Sequence, residues 1–266
     1  MTGRLRADLS TAASMKQAAH FNVIDDLRGE EPLGSVLDAG TGPRSISWLL
    51  TQDTASWTAV TGAANMQNRV ERLIGERKRP QDRLLLGNWS DPELLAGERF
   101  DTVLADHLLG AIEGFAPYYQ TSLFQRLRTL TAKRLYLTGM QPYVVDRPAD
   151  EAGTLIWQIG RYREACLLLL GKTPYREFPL DWVLGELRRS GFEPRATRTM
   201  SVTYKKPFVN GQIDLVRPGL ERLRDQALGK VLIARGEELR GRALAHIENH
   251  GSLQHGLSYV IAADPV

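Results

Sequence analysis

The sequence predicts an α/β fold: a seven-stranded, mostly parallel sheet with helices on both faces. Three observations predict it. Short apolar segments alternate with longer segments of helical periodicity over residues 35–138, the pattern of strands joined by crossover helices. The first of those strands, Ser35-Val-Leu-Asp-Ala-Gly-Thr-Gly-Pro-Arg-Ser45, turns through two glycines into a helix. After a run of helices, two late strand segments finish the chain, the last at 257–261.

The elements follow in order. Residues 14–27 read as an amphipathic helix with Ala18, Phe21, Ile24 and Leu27 on one face. The first strand spans 35–38. Pro43 sits where a helix takes its first residue, and Ile46, Trp48, Leu49 and Leu50 give that helix its apolar face. A second strand at 56–61 precedes a helix at 66–77 carrying Met66, Val70, Leu73 and Ile74. Residues 83–86 form a third strand and 100–105 a fourth, apolar as a buried parallel strand should be. A helix at 117–131 leads to a fifth strand at 135–138. A long helix at 150–170 then interrupts the alternation. Asp181 is expected to cap a helix that ends near Ser190, with Gly191 at its exit. A sixth strand at 195–204, two Arg-rich helices at 218–228 and 229–246, and the seventh strand complete the chain.

At 266 residues and 42% hydrophobic, the chain has material for one domain over 1–266. Its cofactor-binding core is expected at 35–145, with helical insertions at 146–175 and 205–250 forming a lid. The formal charge of +3 is small, and the arginines are scattered through helical segments, so no nucleic-acid partner is expected. The single cysteine, Cys166, excludes an internal disulfide and a multi-cysteine metal site, and reads as a buried small hydrophobe. The first residues lack an apolar core of signal-peptide length, and the longest apolar run, 165–170, is too short to cross a bilayer. A cytoplasmic protein with no membrane partner is the expectation. The i, i+4 pair His246 and His250 has no third ligand in view, so no metal is expected.

A strand that turns through glycines into a helix N-terminus builds a cradle for a nucleotide-like ligand. The glycines admit close approach of backbone, and the helix start offers unpaired N–H groups. In Asp38-Ala-Gly-Thr-Gly42 the acid precedes the glycines. This segment resembles motif I of the class I S-adenosylmethionine (SAM) dependent methyltransferases, which have a Rossmann-like fold. The resemblance covers 35–138, more weakly to the C-terminus. It implies SAM as cofactor, with Asp38, Gly40, Thr41 and Gly42 holding its amino acid and ribose. Ribose and adenine would be lined by Thr61, Gly62, Asn88 and Trp89, with Asp106 reaching the cofactor from the fourth strand. It also implies a seventh strand running antiparallel between the fifth and sixth.

The chain departs from that pattern at two strand ends. The acid usual after the second strand is absent from Ala59-Val-Thr-Gly-Ala-Ala64, leaving Thr61 or Asn65 to substitute. After the third strand, Asn88 stands where the family often has an acid, and its side-chain oxygen can still accept a hydrogen bond.

The fourth strand end, Ala105-Asp-His-Leu108, offers Asp106 and His107 as catalytic candidates. As sequence neighbours they do not form an oriented dyad by themselves, and His107 as general base stands beside a structural role. Tyr143 and Tyr175 are further catalytic candidates, and they join Tyr118 and Tyr119 as residues facing the acceptor. The wider aromatic set adds Phe115, Trp157 and Tyr162. Tyrosine faces can hold a sulfonium.

The resemblance implies an enzyme of small-molecule biosynthesis: a SAM-dependent methyltransferase with a small-molecule acceptor. Two alternatives stay open: another reaction at the sulfonium, and a non-catalytic methyltransferase-like subunit. A nicotinamide reading suffers from Ser45 in place of the third glycine. A tight strand-to-helix turn without a ligand is the plain alternative to the cradle. The acceptor and the oligomeric state, a homodimer included, are not legible.

Overall fold

A computed structural model describes residues 19–266; residues 14–18 of the first expected helix lie outside the described residues. Seven strands form one sheet in the order β3-β2-β1-β4-β5-β7-β6. They are β1 (Ser35–Asp38), β2 (Ser56–Thr61), β3 (Arg83–Leu86), β4 (Phe100–Asp106), β5 (Thr131–Met140), β6 (Phe192–Tyr204) and β7 (Leu253–Pro265). The first five pair in parallel, and β7 runs antiparallel between β5 and β6.

Strand side chains alternate between the two faces, and the two cores show it. Leu37, Val103, Ala105, Leu135, Leu137 and Ile261 enter one core with α5 (Gln120–Leu130) and α7 (Leu180–Arg189). Their strand neighbours Val36, Leu104, Tyr136, Val260 and Ala262 enter the other, against α1 (Ala19–Arg28), α2 (Pro43–Leu49) and α3 (Ala64–Ile74). Phe21 of α1 stacks on Trp48 of α2 with centroids 5.1 Å apart.

The segments expected as insertions build a third core. Leu155, Ile159 and Cys166 of α6 (Glu151–Leu169) pack with Val209, Ile213 and Val216 of α8 (Lys206–Leu220) and Leu239, Ala243 and Ile247 of α9 (Gln226–His250). Cys166 is buried there. Asp150 caps α6 by accepting the Gly153 N–H at 2.7 Å.

Several boundaries differ from the sequence reading. The 117–131 segment does not start as helix. A four-residue helix, α4 (Leu108–Ala111), and a 3₁₀ turn at Ile112–Gly114 come first, and α5 begins only at Gln120. Thr131 is extended and opens β5, its hydroxyl closing the helix on the Leu127 carbonyl at 2.7 Å. Asp181 is not the cap of α7: Pro179 holds that position, and Asp181 lies in the first turn, where its charge suits the helix dipole. The expected 218–228 helix is also displaced. α8 already starts at Lys206 and carries Pro218 near its end, and the chain turns before Asp225 caps α9 by accepting the Leu228 N–H at 3.0 Å.

One buried carboxylate staples the start of β2 to the turn before β3. Asp82 accepts the Trp57 N–H at 3.0 Å and the Arg79 N–H and Nε at 3.0 and 2.9 Å. The same guanidinium donates to the Thr54 carbonyl at 2.7 Å. Asp82→Ala leaves the buried Trp57 N–H without a partner, so the expected loss of stability is about 2 kcal/mol. Urea unfolding measures it; a midpoint equal to that of the parent chain would show the staple to be idle.

Candidate cofactor site and adjoining cavity

The site lies at the carboxyl ends of β1, β2 and β4, where strand order reverses and open α/β sheets bind ligands. The β1–α2 loop is pinned on both sides. The Ala39 N–H donates to the Leu104 carbonyl of β4 and the Thr41 N–H to the Val60 carbonyl of β2, both at 2.8 Å. Ser45 closes the helix start by accepting the Gly42 N–H at 3.0 Å. Open space surrounds Gly42: a Cβ built there would meet nothing within 4 Å.

Asp38 is fully buried at the end of β1, and neither carboxylate oxygen makes a hydrogen bond of good geometry. The buried Thr41 hydroxyl likewise makes none. Burial pushes Asp38 up to about 7, and the nearby Asp106 charge adds to it; the Ser45 and Thr41 hydroxyls and the Gly40 N–H ease the charge only in part. A poorly satisfied acid and hydroxyl beside an open glycine fit a ligand that carries hydrogen-bond donors and positive charge. The amino-acid end of SAM is such a group.

Asp106 ends β4 one strand away. Burial alone would raise it, but His20, His107 and Thr138 together hold it below the usual carboxylate range. The Thr138 hydroxyl donates to Asp106 Oδ1 at 2.6 Å and accepts the His107 N–H at 3.0 Å. His20 Nε2 lies 3.1 Å from the same carboxylate oxygen. Burial lowers the His107 imidazole; the Asp106 charge opposes this, and the His20 and Arg44 charges add to it. Asp106 therefore has a histidine partner, and it is not its sequence neighbour alone. The sequence reading missed His20 because nothing in the spacing of α1 points to β4; its place one residue before the buried Phe21 is the only local signal.

The remaining expected residues divide. Thr61 is buried at the end of β2, and its hydroxyl faces the Ala63 N–H at 3.5 Å. Asn65 accepts the N–H of Met66 at 2.9 Å. Asn88 is bound within its own turn: its oxygen accepts the Ser90 N–H and hydroxyl at 3.0 Å, and its amide donates to the Phe115 carbonyl at 2.9 Å. Trp89 corrects the reading of an adenine platform. Its ring is buried in the core, and its indole N–H donates to the Ala39 carbonyl at 2.7 Å, so it pins the glycine loop from behind.

Tyr118 also departs from its expected place, being 88% exposed on a left-handed turn. Tyr119 packs against the core at the start of α5. Tyr162 lies inside the helical core, its hydroxyl close over Gly236. These three do not gather at one mouth. Tyr143 and Tyr175 do come together, lining a cavity of about 500 Å³ with Met140, Arg161, Arg163 and Glu177. Burial pushes both tyrosines up, and it raises Glu177 to about 7 against the relief of the Met140 N–H and the Arg163 charge.

A thin wall separates this cavity from the glycine loops. It is the chain from α4 to Phe115. On one side, a Cβ on Gly40 would lie 3.1 Å from Leu108, and one on Gly62 would lie 2.8 Å from the Phe115 ring. On the other, Gly110 faces the Glu177 carboxylate and Gly114 the Tyr175 ring, each 2.9 Å or less from a Cβ position. Gly62 was expected to seat the ribose; in this structure its missing side chain makes room for Phe115.

The expected His246 and His250 pair ends α9 with its rings stacked, centroids 4.2 Å apart, and His246 lies 3.3 Å from Glu151.

Together these features are those of the Rossmann-like fold of class I SAM-dependent methyltransferases. A Bacillus halodurans C-125 protein described as a candidate methyltransferase is similar over 94% of this chain and 100% of its own, at 12% identity and a TM-score of 0.57. Coclaurine N-methyltransferase bound to N-methylheliamine and SAH matches over 92% of this chain and 72% of its own, at 15% identity and a TM-score of 0.53. The cyclopropane synthase MmaA2 from Mycobacterium tuberculosis matches over 94% and 87%, at 18% identity and a TM-score of 0.52. At such identities the likeness establishes the fold. No protein-family model matches the chain, and no curated protein matches its sequence. Among the described residues no helix is long and apolar enough to cross a membrane.

The buried Asp38 gives the apo protein a measurable pH signature. Its folded value lies above that of an unfolded carboxyl, so the folded chain holds the proton more tightly between pH ~4 and ~7. Stability from this group therefore falls as pH rises through that window. Asp38→Asn is expected to be more stable than the parent at pH 8, by a few kcal/mol, with the gap narrowing towards pH 5. Thermal unfolding at both pH values reads this, and a gap that does not depend on pH would remove Asp38 as its source.

Proposed function

We propose that the chain is a SAM-dependent methyltransferase acting on a small-molecule acceptor. The observation that carries this reading is Asp38, a buried carboxylate without a hydrogen bond of good geometry at the head of a glycine loop. SAM, when bound, supplies an activated methyl group on a sulfonium. Asp38 and Thr41 would accept hydrogen bonds from its ammonium group, and the open face of Gly42 leaves room for it. Thr61 is the remaining polar side chain at the β2 end that faces no stronger partner than a 3.5 Å contact.

The acceptor would enter the cavity. The chain from α4 to Phe115 would have to shift for the acceptor to meet the methyl group, because displacement at a sulfonium needs direct contact. The cavity lining mixes Tyr143 and Tyr175 with Arg163 and Glu177, which suits a polar molecule with an apolar or aromatic body. Glu177, raised to about 7 by burial, is able to take or give a proton near neutral pH. Gly110 and Gly114 keep the wall free of side chains where Glu177 and Tyr175 press on it.

The contacts of Leu108 with Gly40 and of Phe115 with Gly62 favour a second reading, a non-catalytic methyltransferase-like subunit. Titration calorimetry with S-adenosylhomocysteine separates the two. The parent chain is expected to bind it. Gly42→Val keeps the fold, since a Cβ there meets open space and the backbone is already extended, yet fills the cradle. It is expected to weaken binding at least ten-fold, a change of about 1.4 kcal/mol. Absence of binding to the parent at millimolar ligand would sink the enzyme reading in favour of the subunit.

A further inference from the structure

At the carboxyl end of β4, three side chains with metal-ligating atoms meet: His20, Asp106 and His107, whose ligating atoms all lie within 4.8 Å of one another. We propose that they bind one divalent transition-metal ion through two imidazoles and one carboxylate.

The spacing supports it. His20 Nε2 and Asp106 Oδ1 are 3.1 Å apart. Two ligands ~2.1 Å from a common ion stand roughly 3.0–3.4 Å apart at octahedral to tetrahedral angles. The backbone supports it as well. Successive side chains of a strand point to opposite faces. His107 has a left-handed φ of 48°, which breaks that alternation at the point where Asp106 and His107 join one cluster.

The surroundings match those of a held ion. The Thr138 hydroxyl donates to Asp106 Oδ1 and accepts the His107 N–H, so one residue fixes the carboxylate and the neighbouring backbone together. Such outer contacts orient ligands in metal sites. Asp38, buried at the end of the neighbouring strand, makes no hydrogen bond of good geometry. Among the described residues neither acid forms an ion pair with Lys or Arg.

Imidazole and carboxylate donors suit Zn²⁺, Fe²⁺, Co²⁺ and Ni²⁺ better than Mg²⁺ or Ca²⁺. Three protein ligands leave at least one coordination position open, as in catalytic sites. The ion would stand at the carboxyl end of β4 beside α1, with a position free for an oxygen or nitrogen of a bound molecule.

The test uses the full chain, stripped with a chelator and titrated with Co²⁺ without any nucleoside. Visible Co²⁺ absorption and calorimetry are expected to show one equivalent bound, with Zn²⁺ displacing it. His20→Gln and His107→Gln, each checked for an unchanged thermal midpoint, are expected to weaken Co²⁺ at least ten-fold. Thr138→Val leaves all three ligands in place and is expected to weaken it less. The double change His246→Gln and His250→Gln is expected to have no effect. Three results overturn the proposal: no uptake at millimolar Co²⁺, uptake that survives both His20→Gln and His107→Gln, or uptake that disappears with the His246 and His250 change. Because no nucleoside is present, failure here leaves the SAM reading standing, and failure of the nucleoside titration leaves the metal site standing.

Discussion

Two aspartates end neighbouring parallel strands, and the site is arranged around the difficulty of burying both. β1 and β4 pair with Asp38 opposite Leu104, which brings Asp38 and Asp106 to the same edge of the sheet. A carboxylate removed from water needs a partner or a proton. Asp106 has partners: Thr138 from β5 and His20 from α1. Asp38 makes no hydrogen bond of good geometry; the Ser45 and Thr41 hydroxyls and the Gly40 N–H only ease its charge, and burial raises its pKa. Strand pairing thus creates one satisfied acid and one that a ligand or a proton must satisfy. The unsatisfied one sits in the loop that Trp89 and two backbone hydrogen bonds hold rigid.

The second constraint is separation of the cradle from the cavity. The cradle is made by the sheet and the start of α2. The cavity needs α6 and α8, whose positions are set by the third core with α9. The chain from α4 to Phe115 touches both. It packs Leu108 into the sheet core and offers glycines to Glu177 and Tyr175. A change in the helical layer can therefore reshape the cavity without disturbing the glycine loop.

Most of the sheet was legible in the sequence because its signals are local. β1, β2 and β3 have the bounds that the apolar runs mark, and Asp38-Ala-Gly-Thr-Gly42 is a strand-to-helix turn as its glycines and Pro43 imply. The order of the last three strands followed from the resemblance, not from the residues. What was not legible depends on distant partners. α4 is hidden in an apolar stretch too short for its period to show. Trp89 reads as a residue lining the adenine until Ala39 is seen to accept its N–H. Tyr118 reads as part of an aromatic cluster until the backbone turns it to solvent. His20 pairs with Asp106 although three strands lie between them in sequence, and no spacing rule reaches that far.

The neutral rim left by the missing β2 acid can now be weighed against Asp38. A hydrogen bond from ribose to a charged carboxylate is worth about 1.5–3 kcal/mol, and Thr61, Asn65 and Asn88 replace it with neutral groups already in contact with their own chain. Asp38, moved from 3.8 to about 7 by burial, carries on the order of 4 kcal/mol of strain when ionised. A cationic group placed on it relieves part of that strain and gains the pairing as well. The two effects are of the same size and opposite sign. Recognition in this chain would then lean on the amino-acid end of the ligand rather than on the ribose. The structure agrees in where it leaves room: Gly42, beside Asp38, is open, while Gly62, beside the ribose position of the family, is covered by Phe115.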